Sequence, residues 1–381
     1  MVELSTTEDT EERKKTCMNG SYLRVPSVLR GEELFDGYKV AAIISRFAPA
    51  PTGFLHVGHV VNAVYVWGVT RAHSGRVLLR IEDHDRARSR PEFEAAILED
   101  LAWLGFTSDE PLVGQRARGD IYSQALETLR RQGLVYACAC TRAEISDVAR
   151  AFQASVSDVA RASQASVSDE LWYPGTCRER GLAEAPGRGV RVHLAPSIER
   201  FADLRHGPQE QRPSEQCGDL LVRDRDGNWT YQFAATVDDH VQGVTLVVRG
   251  DDLLASTGRQ IQLARLLGRE TPPAFLHHAL VMKPAAGLRE QECDSGPLRP
   301  GSPKPPKRAA QKLSKSDGDT GVRDLRARGW SAAQVIGHAC ALAGMIPEPR
   351  DVHAADVSSM MGAFMGQVGQ VGQVGRGGQD R

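Results

Sequence analysis

Lys39-Val-Ala-Ala-Ile-Ile-Ser-Arg46-Phe-Ala-Pro-Ala-Pro-Thr-Gly53-Phe-Leu-His56-Val-Gly58-His59 is the stretch whose reading decides the fold. Lys39 to Arg46 is an apolar run with strand character. A Pro/Gly loop from Pro49 to Gly53 ends it, and a helical pattern starts near His56. Val60 to Ala72 reads as a crossover helix, and Arg76-Val-Leu-Leu-Arg-Ile81 as a buried parallel strand. Strand, glycine-containing loop, helix and strand form one βαβ unit, and such units build doubly wound parallel sheets. The expected class is α/β, with a Rossmann-like sheet.

Working outward, Pro91 to Leu104 is helical, with proline at its start and Phe93, Ile97, Leu98, Leu101 and Leu104 on one face. Ile121 to Gln132 repeats that pattern and closes at Gly133. Trp229 to His240 and Val244 to Arg249 read as two more element ends of the same sheet, and Ser256 to Leu267 as a helix ending at Gly268. Val322 to Met345 carries a further helical pattern.

The 381 residues are 41% hydrophobic and 25% charged, enough to bury a sizeable core. No apolar run approaches the ~20 residues that span a bilayer. The N-terminus is mixed in charge and lacks an apolar signal core. Seven scattered cysteines argue against a disulfide framework and for a reducing compartment, so the cytoplasm is expected, with a monomer as the simplest state. A net charge of −1 excludes a protein that coats nucleic acid by bulk electrostatics, although a local basic face suffices to hold an RNA.

These signals divide the chain into a disordered extension (1–37), the first half of a catalytic domain (38–137) and an inserted segment (138–178). An insertion plus the second half of the domain follows (179–283), then a Pro/Gly-rich flexible loop (284–310), a lysine-bearing loop with a helical segment (311–350) and a low-complexity tail (351–381). The inserted segment holds an eleven-residue unit in tandem, D-V-A-R-A-F-Q-A-S-V-S then D-V-A-R-A-S-Q-A-S-V-S, read as a duplication tolerated on the surface. The tail repeats G-Q-V from Gly366 and is expected to be disordered.

Three constellations carry chemistry. His56 and His59 stand at a helix N-terminus, where unsatisfied N–H groups and the helix dipole favour phosphate, and Gly58 leaves room for a nucleotide. Gln311-Lys312-Leu-Ser-Lys315-Ser316 follows the Pro/Gly-rich stretch; two lysines about a small turn can fold over a triphosphate. Alone, H-x-G-H is more often a surface pair and K-L-S-K-S a common surface string; their occurrence in one chain gives them weight. Cys138-Ala-Cys140 and Tyr173-Pro-Gly-Thr-Cys177 offer three thiolates and a phenol, a donor set that suits tetrahedral zinc.

The first two motifs resemble the HIGH and KMSKS signatures of class I aminoacyl-tRNA synthetases, and R-F-A-P-A-P-T-G-x-L-H-x-G-H is similar to the form found in glutamyl-tRNA synthetases. The likeness extends through Arg80-Ile-Glu82-Asp83, Val237-Asp-Asp-His240-x-x-Gly243-Val244 and Val248-Arg249-Gly-Asp-Asp-Leu253. It implies that Arg46 and Arg249 read the carboxylates of glutamate, that Glu82 meets its ammonium, and that Tyr231 touches it. Phe47, Ala48, Pro49 and Ala50 would wall the pocket. His56, Gly58, His59 and Lys315 would hold ATP, with Lys312 in support and magnesium on the phosphates. The cysteine set resembles the zinc-binding subdomain of the glutamyl-Q tRNA(Asp) synthetases, apart from the duplication between its halves. The short stretch after Ser316 also resembles that family, which lacks the long anticodon-reading region of glutamyl-tRNA synthetases. The resemblance implies tRNA-independent activation of glutamate and its transfer to the queuosine base of tRNA(Asp). A shortened glutamyl-tRNA synthetase charging tRNA(Glu) and a non-catalytic RNA-binding paralogue are the alternatives.

Overall fold

The computed structural model describes residues 42–155, 172–281 and 321–374. Strand β1 (Ile44–Phe47), helix α1 (Val57–Ala72) and strand β2 (Arg76–Ile81) form the expected βαβ unit. β1 and β2 pair in parallel, from Ile44 opposite Arg76 to Phe47 opposite Leu79. α1 is apolar nearly all round, the pattern of a helix covered on more than one side. It packs on the sheet through Val57, Val60, Val61 and Val64, and Gly68 lies against Met361 and Val357. α2 (Pro91–Leu104) starts on its proline and stops at Gly105, whose φ of 85° ends the helix in the left-handed region. β3 (Val113–Gly114) then pairs in parallel with β2.

α3 (Gly119–Arg131) buries Tyr122, Leu126 and Leu129 against a second core. β4 (Val135–Cys138), β5 (Gly189–Val192) and β8 (Leu220–Arg223) make a small antiparallel sheet in that region. α4 (Arg142–Ser155) runs from this sheet into the first copy of the duplicated unit; the second copy lies outside the described residues. β6 (Glu199–Asp203) and β7 (Gly207–Gln211) form a hairpin. α5 (Tyr231–Val241), β9 (Leu246–Gly250), α6 (Thr257–Leu266) and β10 (Ala274–His278) follow, and β10 pairs in parallel with both β9 and β6. α7 (Val322–Ala327), α8 (Ala332–Leu342) and α9 (Val357–Val374) close the described chain.

The parallel α/β class is as expected, with two departures in its elements. Trp229 to His240 is not a sheet element: Tyr231 to Val241 is a helix that buries Phe233, Ala234 and Val237 at helical spacing. The aromatic start of that stretch imitates a strand, but the spacing of its apolar residues follows the 3.6 period. The G-Q-V repeat, expected to be disordered, continues helix α9 as far as Val374. The extension (1–37), the loop (284–310) and the lysine-bearing segment with Lys312 and Lys315 lie outside the described residues.

Candidate active site and cysteine cluster

β1 belongs to a three-stranded sheet (order β1-β2-β3) and β9 is the edge of a four-stranded one (β7-β6-β10-β9), and the two strands adjoin. The Thr245 backbone N–H donates to the Ile44 carbonyl at 2.8 Å, and Ile44 N–H donates to Thr245 Oγ1 at 2.8 Å. From β1 the chain runs to β2, from β9 to β10, and the carboxyl ends of strands at such a divergence are the usual ligand position in parallel sheets. Arg46 stands near the end of β1, Glu82 one residue past β2, and Arg249 near the end of β9. Tyr231 occupies the first turn of α5, in electrostatic reach of Glu82, Arg249, Arg46 and Asp239. The sequence places these four residues far apart, and the fold gathers them.

A buried network sets their positions. Arg46 Nε donates to both Asp239 oxygens, at 3.0 and 3.2 Å, and Nη1 donates to the Val248 carbonyl at 3.3 Å. Arg80, fully buried, donates from Nη1 to Asp239 Oδ1 at 2.8 Å and to Gln242 Oε1 at 3.0 Å, and from Nη2 to Glu82 Oε1 at 3.1 Å. Asp238, beside it, accepts from Gln115, Arg118 and Tyr122. Burial alone would raise the Asp239 carboxyl, but the guanidiniums of Arg46 and Arg80 outweigh it and hold the group at about 2. Burial works against Arg80's charge too, and Asp239, Glu82 and Asp238 more than offset it, so its proton is held tighter than usual. A buried charge is tolerable only when paired in this way. Burial, then the charge of Glu82, push the Tyr231 phenol up, which keeps it a hydrogen-bond donor.

Around Arg249 the partners are different. Its Nε donates to His277 Nε2 at 2.9 Å, Nη1 to Gln260 Oε1 at 2.7 Å, and Nη2 to Thr257 Oγ1 at 2.9 Å and the Leu253 carbonyl at 3.3 Å. The Tyr231 hydroxyl also takes part. Burial lowers this guanidinium below its ordinary value.

The two imidazoles cap α1. His56 Nδ1 accepts from Gly58 N–H, and His59 Nδ1 accepts from the His56 backbone N–H, both at 3.1 Å. With Nδ1 accepting, a neutral ring carries its proton on Nε2, the arrangement that donates to a phosphate oxygen. Gly321 pairs with His56 in an antiparallel bridge, and Val322 N–H donates to the Leu55 carbonyl at 2.9 Å. The chain leaving the Lys312–Ser316 segment therefore returns to the helix mouth. Of the four wall residues, Phe47 turns its ring into the core, 5.3 Å from Trp67, so only its backbone is left for a ligand. Pro49 is buried, and its carbonyl accepts from Glu82 N–H at 3.1 Å; Ala48 and Ala50 are half-buried.

The third constellation closes as well. Cys138, Cys140 and Cys177 bring their sulfurs within 4.8 Å of one another, with Cys140 and Cys177 at 3.5 Å. The Tyr173 hydroxyl lies 3.3 Å from Cys138 Sγ and 3.5 Å from Cys140 Sγ. Arms of about 2.3 Å to sulfur span tetrahedron edges of about 3.8 Å, near the Cys140–Cys177 and Tyr173 separations, so the set could hold one metal ion. Burial pushes the Cys140 thiol up to about 11. At Cys177 burial pushes the same way, yet hydrogen bonds from the Tyr173 hydroxyl and the Ala139 N–H prevail and bring it down to about 6, ready to serve as thiolate. Gly218 makes room: its φ is 66°, and a Cβ there would sit 1.8 Å from the Tyr173 carbonyl oxygen.

The sequence alone does not mark Asp239, Arg80, His277, Gln260 or Thr257 as candidate site residues. Arg80 and Asp239 lay inside the quoted motifs, so the signal was present; His277, Thr257 and Gln260 carried none.

Residues 42–286 match the family model of the tRNA synthetases class I (E and Q), catalytic domain. Among curated proteins, the chain is 43% identical over 254 residues to the glutamyl-Q tRNA(Asp) synthetase of Bordetella bronchiseptica, covering 67% of this chain and 76% of that one. It is 37% identical over 330 residues to that of Symbiobacterium thermophilum, covering 83% and 91%. Among solved structures it is similar to a glutamate-tRNA synthetase from Elizabethkingia anophelis, with a TM-score of 0.53 and 26% identity. A glutamate tRNA ligase from Elizabethkingia meningosepticum, solved in complex with its amino acid, gives 0.61 and 25%. The matches cover 76% and 83% of this chain, which spans 54% and 64% of those two. The chain thus belongs to the class I tRNA synthetases of the E and Q type, in the family of the glutamyl-Q tRNA(Asp) synthetases.

Proposed function

We propose that this chain is an ATP-dependent ligase that activates glutamate as its adenylate without tRNA and transfers it to the queuosine base in the anticodon of tRNA(Asp). The observation that carries the reading is the convergence of Arg46, Glu82 and Arg249 on Tyr231 at the carboxyl ends of β1, β2 and β9. Two guanidiniums, a carboxylate and a phenol match the two carboxylates and one ammonium of glutamate. His56 and His59, with Nε2–H directed by their caps, suit the ATP phosphates, and Gly58 has no side chain to block the nucleotide. Lys315 precedes Gly321 by six residues, a span of at most about 22 Å, which is compatible with its serving those phosphates, and Lys312 stands three residues earlier in the sequence.

In the reaction, the α-carboxylate of glutamate attacks the α-phosphorus in line and pyrophosphate leaves. Arg46 and Arg249 align the amino acid, and the histidines and Lys315 offset the charge that grows on the phosphates. Magnesium, when bound to ATP, neutralises phosphate charge. Cys138, Cys140, Tyr173 and Cys177 would hold a structural zinc ion that ties β4 to the segment before β5. The cytoplasm and a monomeric state fit this reading.

Labelled glutamate, ATP and queuosine-containing tRNA(Asp) test it. The label is expected on the modified base; glutamate found only on the 3′-terminal ribose would favour a shortened glutamyl-tRNA synthetase. Absence of glutamate-dependent pyrophosphate exchange under every condition would favour a non-catalytic RNA-binding paralogue.

A further inference from the structure

Behind Arg249 lies a second layer of polar residues. Asp203, His277 and Thr257 are all at most 2% exposed, and Arg249 is 5% exposed. Asp203, the last residue of β6, accepts at Oδ2 from His277 Nδ1 at 2.7 Å and from the His277 backbone N–H at 3.1 Å. Its Oδ1 accepts from the backbone N–H groups of Arg205 and His206 at 3.0 and 2.9 Å. On the far side of the ring, His277 Nε2 faces Arg249 Nε at 2.9 Å.

A guanidinium only donates, so His277 Nε2 must present a lone pair, and the single ring proton must sit on Nδ1, towards Asp203. Asp203 fixes that choice, because both its oxygens only accept. Burial, and to a lesser degree Arg249, press the His277 imidazole down while Asp203 resists; the ring stays neutral, at about 4. The pairing enforces one direction, carboxylate to imidazole to guanidinium, and Thr257 Oγ1 lies 3.3 Å from the same His277 Nε2. Unlike Arg249, His277 is wholly buried, so its effect on a ligand passes through the arginine.

We propose that Asp203 and His277 are positioning residues for amino-acid selection, a buried relay that fixes the rotation of the Arg249 guanidinium and hence the donors it offers to a substrate carboxylate. The proposal rests on the reading of Arg249 as a glutamate ligand. Gln260 holds Nη1, and Thr257 with the Leu253 carbonyl holds Nη2; the relay is the partner of Nε and completes the fixing of the planar guanidinium.

The test is glutamate-dependent ATP–pyrophosphate exchange, with KM for glutamate and for ATP measured separately. In His277→Gln the carboxamide oxygen reaches the place of Nε2 and keeps an acceptor for Arg249. In His277→Asn the shorter side chain reaches only the place of Nδ1 and leaves Arg249 Nε unmet. His277→Asn is expected to raise the glutamate KM by about tenfold or more, with little change for ATP, and His277→Gln to recover most of that loss. Equal rises in the two variants, no rise in either, or a parallel rise for ATP would overturn the relay. Asp203→Asn gives a second readout should a His277 variant fail to fold. Its amide can accept at one end only, so the same glutamate-selective rise is expected, and an unchanged KM again overturns the proposal. Arg249→Ala separates the two claims: a glutamate KM unaffected by that change would remove Arg249 itself from the pocket, whatever the His277 variants do.

Discussion

At the residue scale, Asp239 shows what a local pattern conceals. In Val237-Asp-Asp-His240 its carboxylate looks the same exposed or buried, and only the fold brings it between Arg46 and Arg80, more than 150 positions earlier in the chain. Arg46 and Glu82 were legible because their motif is local; the group that orients Arg46 was not. Asp239→Asn removes one of the carboxylates that balance two buried guanidiniums, and it is expected to destabilise the fold by about 3 kcal/mol at pH 7. The folded carboxyl, at about 2, lies below its ordinary 3.8, so its contribution is complete above pH 4 and fades as pH falls towards 2. Urea unfolding of both proteins should therefore show their gap closing between pH 4 and pH 2; a constant gap would sink the account. Asp100 behaves oppositely. Burial pushes its carboxyl up to about 6, and neither oxygen has a hydrogen bond among the described residues. Its charged form costs stability above pH 6, a cost relieved as pH falls towards 4. Asp100→Asn is expected to leave the protein as stable or about 1–2 kcal/mol more stable at pH 8, and to lose that advantage at pH 4.5 by the same measurement.

At the element scale, helices with a clean apolar stripe or a proline start, such as α2, could be read almost to the residue. α5 could not, because Trp229, Tyr231 and Phe233 alternate like a strand before the helical spacing of Phe233 and Val237 takes over. The cysteine cluster was legible as a donor set, but its closure depends on a turn that the sequence does not announce. Tyr173 crosses Gly218 as an isolated parallel bridge, with Tyr173 N–H bonded to the Cys217 carbonyl and Asp219 N–H to the Tyr173 carbonyl. A methyl at Gly218 would strike that backbone, so Gly218→Ala must push the Tyr173 segment away from Cys138 and Cys140. Metal analysis of the purified protein is expected to give one zinc per chain, and Gly218→Ala to lower zinc affinity about tenfold or more in a chelator competition. Removing the metal should lower the melting temperature and leave three titratable thiols at Cys138, Cys140 and Cys177. Full zinc retention in Gly218→Ala would show that the turn does not set the site.

At the scale of the whole molecule, the central fact is which strands become neighbours. Ile44 and Thr245 are separated by 201 positions, and no periodicity tells one apolar strand to lie beside another rather than beside a third. The βαβ rule gives the class; the contact of β1 with β9, which brings Arg46 near Arg249, comes from packing. The same holds for α9, which settles on α1 through residues that precede the G-Q-V repeat. Val357 and Met361 are at most 1% exposed, Gly68 on α1 leaves space for them, and Phe364 sits 6.5 Å from the Tyr65 ring. α1 thereby gains a partner on the face turned from the sheet, and α1 carries His59 and is capped by His56. Ending the chain after Asp356 uncovers that face. Two fully buried side chains of this size account for about 3–6 kcal/mol, so the shortened protein should melt well below the parent. Pyrophosphate exchange should fall at temperatures where the parent is fully active, because a loosened α1 no longer holds His56 and His59 in register. Met361→Ala tests the contact with a single cavity and should cost about 2–4 kcal/mol. If neither change lowers the melting temperature, α9 contributes nothing to the fold, and the rigidity of the α1 N-terminus has to come from β1, β2 and α8 alone.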